Sequence, residues 1–83
     1  MDIHHPFVSE FSEHRDTIRH LRLADNHFRK MFEEYHQLDD EVARIEEEVE
    51  FATDQRMDEL KLRRAQLKDA LYAVVRRQSA ATA

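Results

Sequence analysis

The chain has no glycine, no cysteine and no tryptophan, and a single proline, Pro6, among its 83 residues. Sheets turn at tight corners that draw on glycine and proline, so their scarcity excludes an all-β or α/β fold. Without cysteine there is no disulfide framework and no thiolate chemistry. No run approaches the roughly 18 apolar residues that a membrane span requires. The opening stretch MDIHHPFVSE has neither a basic nor an apolar leader region, so the expectation is a cytoplasmic protein without a signal peptide. A Gly-rich phosphate loop and a paired nucleophile and base are missing as well. What is present suits one small all-α domain, residues 1–83, in which 37% of the side chains are charged.

That charge is divided unevenly. Residues 1–53 carry 6 basic and 14 acidic side chains, whereas residues 54–83 carry 7 basic and 4 acidic ones. The acid is densest in DDEVARIEEEVE, residues 39–50, with seven carboxylates and one arginine. Hydrophobic spacing explains how such a run is accommodated. Steps of three and four from Leu21 give Ala24, Phe28, Met31, Tyr35, Leu38, Val42, Ile45 and Val49, all apolar, which marks a helix with a coiled-coil-like seam. A second stripe runs through Met57, Leu60, Arg64, Leu67, Leu71 and Val74. Between the two lies EFATDQ, where Thr53 or Asp54 can cap a new helix. So short a connection makes the helices antiparallel. Folding back here pairs Glu46 with Lys61, Asp39 with Lys68, Glu48 with Arg56 and Glu41 with Arg63. The acidic run is then the flank of a hairpin, and it repels a parallel copy of itself.

Upstream, Phe7, Phe11, Ile18 and Leu21 share one face, but the next position on that line is Asp25. Asp25 and Asn26 favour helix starts over helix interiors. The pattern predicts a short helix over about 9–23, a kink or break near Asp25 and a long helix over about 26–50. With no glycine or proline at that point, one continuous bent helix is the alternative. A turn at 51–53, a helix over about 54–77 and a frayed tail at 78–83 complete the expectation.

EFSEHRDTIRHL, DNHF, EEYHQLDDEVARIE and LKLRRAQLKDALY together resemble the YdcH-like family of small bacterial proteins, over roughly residues 5 to 75. The Arg15-Asp16 pair, Asp25 with Phe28, Arg44 with Glu46, and Leu67-Lys68-Asp69 carry most of the likeness. Members often have proline where Ser12 stands and an aromatic where His14 stands. The resemblance implies a helical hairpin that associates. It brings no catalytic residues, because the family is functionally uncharacterised.

The remaining candidate sites are weak. Six histidines, His4, His5, His14, His20, His27 and His36, show no metal-binding spacing on one face. Glu33 and His36 have the Glu-x-x-His spacing of di-iron bundles, but the heptad frame turns both outward. No metal or cofactor is expected. Arg64 falls in the apolar seam opposite Val42. Its stem either packs while the guanidinium reaches Asp39 or Glu46 at the rim, or it specifies hairpin register. The expected function is a non-enzymatic interaction or adaptor module. Homodimerisation or partner binding is expected through Phe7, Phe11, Ile18, Leu21, Phe28 and Phe32. The alternatives are a nucleic-acid-associated regulator using the basic KLRRAQLK helix, or an accessory subunit of a larger bacterial complex. Nucleic acid is the lesser partner candidate, because the hairpin pairing assigns those basic residues to the acidic helix.

Overall fold

A computed structural model describes residues 14–82 of the chain, with side chains described for residues 14–80. Three helices lie among the described residues: α1, Arg15–Ala24; α2, Asn26–Glu46; and α3, Asp54–Thr82. They contain no strand, and the fold is an all-α hairpin of α2 and α3 with α1 packed at its open end. Phe7 and Phe11 lie outside the described residues, as does the start expected for the first helix.

One residue separates α1 from α2. Asp25 adopts an extended backbone, φ −124° and ψ 108°. Its N–H donates to the Leu21 carbonyl at 2.9 Å and so closes α1. Its Oδ1 accepts from the Phe28 N–H at 3.0 Å, and its carbonyl accepts from the Arg29 N–H at 3.0 Å. A short carboxylate can serve both helix ends where the chain supplies neither glycine nor proline.

The hairpin buries Phe28, Phe32, Tyr35, Asp39 and Val42 from α2. From α3 it buries Leu60, Leu67, Leu71 and Val75. The three-four spacing is kept, but the inward face of α2 is rotated from the expected one. Met31, Leu38 and Ile45 are only half-buried, and Val49 is exposed. On α3, Val75 is buried and Val74 half-buried. The rotation follows from α1, because Ile18 and Leu21 join Phe28, Phe32, Tyr35, Leu67, Leu71 and Val75 in one core cluster. A third helix along one flank draws Phe32 inward and leaves the opposite flank at the edge.

Both hairpin arms differ in length from the expectation. α2 stops at Glu46 rather than near residue 50, and the connection runs from 47 to 53. The Glu48 N–H donates to the Ile45 carbonyl at 3.1 Å, and the Val49 N–H to that of Arg44 at 3.0 Å. With Glu48 at φ 60° this is a Schellman ending, and a glutamate holds the left-handed position that glycine usually takes. Thr53 caps α3, its Oγ1 accepting from the Arg56 N–H at 3.1 Å. Beyond Arg77, where a frayed tail was expected, α3 continues to Thr82. Ser79 Oγ lies 3.2 Å from His14 Nδ1 and 3.4 Å from Thr17 Oγ1, so the extra turn reaches α1.

Candidate interaction surfaces

The charged flanks meet, with partners that differ from those the sequence suggested. Arg63 holds Glu34 in a fork, Nε to Oε2 at 2.8 Å and Nη2 to Oε1 at 3.2 Å. Arg56 takes Glu41 at 3.6 Å. Each arginine therefore pairs one heptad earlier on α2 than the expected Glu41–Arg63 and Glu48–Arg56. The cause is the early end of α2: Glu48 sits in the turn, so Arg56 takes the next helical carboxylate on that flank. Nor is there an ion pair between Glu46 and Lys61, both exposed among the described residues. The hydrogen bond from Arg63 holds the Glu34 carboxyl below the ordinary glutamate range, and the same bond raises the Arg63 guanidinium. Because Glu34 is depressed in the folded state, the pair's stabilisation is present above the ordinary glutamate pKa. It is lost as pH falls through the depressed one. Both side chains are largely in solvent, so the effect is small.

Among the described residues, Asp39 is the buried polar one, 5% exposed. Its Oδ1 accepts from Arg64 Nη1 at 2.9 Å, and the Arg64 side chain is 29% exposed. The expected flank pairing of Asp39 with Lys68 thus gives way to a half-buried ion pair on the seam. Arg64, half-buried, directs its charge to Asp39.

Four residues expected to meet a partner are occupied within the chain. Ile18, Leu21, Phe28 and Phe32 are all buried, at 4%, 5%, 0% and 2% exposure. His36, expected outward, is half-buried with its ring 4.5 Å from that of Phe32, while Glu33 is exposed. No group of three or more metal-ligating side chains occurs among the described residues. No helix among them is long and apolar enough to cross a membrane.

Two other surfaces emerge at opposite ends of the hairpin. At the turn, Phe51 is fully exposed and Val49 is 72% exposed. They stand among Glu46, Glu47, Glu48, Glu50 and Asp54, with no basic residue between positions 46 and 54. Arg44 approaches Glu50 at 3.7 Å from the preceding turn of α2. At the open end, Arg15, Ile18, Arg19 and Arg22 line a pocket of about 180 Å³ together with Phe32. The three arginines recur at spacings of four and three, which places them on one face of α1. The Arg22 guanidinium lies over the Phe32 ring at 4.6 Å. Sequence reasoning assigned Val49 to the seam and passed over Phe51 and this arginine face. The signals were there: Phe51 falls off both apolar stripes, and the arginines share a helical period.

Among the described residues, these features define a three-helix arrangement built on an antiparallel hairpin, with carboxylates at the turn and an arginine face on α1 at the open end. The chain belongs to the family described as a protein of unknown function, DUF465, whose model matches residues 28–74. YdcH-like proteins are members of this family. The match spans the hairpin from Phe28 to Val74 and leaves α1 outside it. No curated protein and no solved structure matches the chain.

Proposed function

We propose that the protein is a non-enzymatic cytoplasmic interaction module that acts by self-association, with the hairpin tip as a contact. The supporting observation is Phe51, 101% exposed, beside Val49 at 72%. The same fold buries Phe28, Phe32 and Tyr35 almost completely. Burying a large apolar side chain is worth roughly 1.5–3 kcal/mol, and a protruding aromatic is the usual anchor for a partner's pocket. This surface replaces Ile18, Leu21, Phe28 and Phe32, which serve the chain's own core. The nucleic-acid reading loses support because Arg56, Arg63 and Arg64 each meet a carboxylate. Light scattering across a concentration series tests the proposal on the wild type and on Phe51→Asp. The wild type is expected to show the mass of two chains and the variant that of one, with equal helical circular dichroism. A variant that associates as strongly as the wild type rejects the tip as the contact.

A further inference from the structure

We infer that Arg15, Arg19 and Arg22 of α1 bind a phosphomonoester, whose phosphoryl group enters the pocket they rim. The site is independent of the hairpin tip and goes beyond the self-association proposed above. All three arginines are exposed and stand on one helix face, at spacings of four and three. Like charges so placed repel and weaken a helix. Elsewhere the fold answers its arginines, since Arg56, Arg63 and Arg64 each meet a carboxylate. Among the described residues, no carboxylate comes within ion-pair distance of Arg15, Arg19 or Arg22. The chain has 18 acidic side chains against 13 lysines and arginines, so carboxylates are not scarce. None is placed here.

The surroundings keep that charge available. Residues 14–30 carry five basic side chains, Arg15, Arg19, Arg22, Arg29 and Lys30, against Asp16 and Asp25. Asp25 is committed to the Phe28 N–H as a helix cap. Asp16 and Glu33 are exposed and do not line the pocket. A basic concavity of this kind draws an anion from solution.

Chemistry and size select a phosphoryl group. An arginine fork matches phosphate oxygens with two parallel N–H donors. A carboxylate has two oxygens and satisfies one fork, as Glu34 does for Arg63. A terminal phosphoryl group has three, one for each arginine. Arg22 is already positioned, its guanidinium 4.6 Å from the centre of the Phe32 ring, so less freedom is lost on binding. Arg15 and Arg22 start about 10 Å apart along the helix, at about 1.5 Å per residue, and their long stems can converge on one anion. Ile18 and Phe32 are buried and only close the floor. The volume of about 180 Å³ equals the share of about six waters. It admits a phosphoryl group with part of its hydration and leaves the rest of the ester outside. A nucleic-acid strand asks instead for a longer basic track, and the hairpin arginines that would extend one are engaged.

The test follows arginine Nε–H resonances of the full chain as inorganic phosphate is added. Vesicles of phosphatidic acid in phosphatidylcholine and a single-stranded oligothymidine serve as further probes. Phosphate is expected to shift Arg15, Arg19 and Arg22 saturably, with a dissociation constant of about 1 mM or tighter. Arg63, held in its fork by Glu34, should not move. Arg19→Gln should weaken binding about tenfold at unchanged helical circular dichroism. Arg19→Lys should weaken it less, because lysine keeps the charge and loses the fork. Arg29→Gln removes a charge from the same end but not from the pocket, and should stay within about twofold of the parent. If vesicles bind more tightly than free phosphate, with the same loss in Arg19→Gln, the phosphoryl group is that of a lipid headgroup. If free phosphate binds as well or better, the ester is soluble. No saturable shift with phosphate and no vesicle binding overturns the inference, as does an Arg29→Gln loss equal to that of Arg19→Gln. Oligothymidine binding through the three arginines more tightly than either phosphate probe also overturns it, and makes the face a nucleic-acid surface.

Discussion

At the residue scale the most informative pair is Asp39 with Arg64. Placing an arginine on an apolar stripe invites replacement by leucine, which is neutral or stabilising if the guanidinium merely reaches solvent at the rim and alters association if Arg64 sets register. The buried partner adds a third outcome. Asp39 is 5% exposed and accepts its hydrogen bond from Arg64, so Arg64→Leu strands a carboxylate in the core. The variant should lose about 1–3 kcal/mol in urea unfolding despite its added apolar surface. Replacing both residues by leucine should bring stability back to within about 1 kcal/mol of the parent, or above it. If Arg64→Leu alone matches the wild type, Asp39 does not depend on its partner. The sequence offered the pair as one alternative, Arg64 reaching Asp39 or Glu46 at the rim. It did not show that Asp39 is buried, because that depends on how far α2 rotates.

At the scale of the element, the end of α2 is decided by the backbone. The chain has no glycine, and yet α2 closes with a Schellman ending that puts Glu48 at φ 60°. A side chain in that region costs roughly 1–2 kcal/mol, part of which glycine returns through its own loss of freedom on folding. The carboxylates at 46, 47 and 48 also stand at the negative end of the helix dipole. Glu48→Gly should therefore raise stability by about 0.5–1 kcal/mol, read as a higher urea midpoint at an unchanged slope. Glu46→Gly, two residues earlier within α2, should lower it by about 1 kcal/mol. Equal effects from the two substitutions would mean that Glu48 is not held left-handed in solution. The start of α2 was readable because Asp25 broke an apolar line with a capping residue. Its end was not, because Val49 continues that line and hides the stop at Glu46.

On the scale of the whole molecule, α1 turns a two-helix seam into a three-helix core. Ile18 and Leu21 complete the cluster around Phe28 and Phe32, and the last turn of α3 supports α1 through Ser79. A chain ending at Arg77 keeps Leu67, Leu71 and Val75 but loses that support. Hydrogen exchange of this truncation should show faster exchange in α1, with the middle of α2 and α3 protected as before. Unchanged protection of α1 would mean that Ile18 and Leu21 hold it alone. What the sequence determined by itself was the all-α class, the antiparallel hairpin, an interruption near Asp25 and the meeting of acid with base. These follow from local periodicity, capping chemistry and the sign of charge. Tertiary packing alone decided which face of α2 turns inward and which carboxylate each arginine takes. Glu34, Glu41 and Glu48 repeat every seven residues, so charge cannot distinguish one partner from the next. The choice falls to the length of α2 and the volume of α1 against Phe32, and neither quantity is written in any single stretch of the chain.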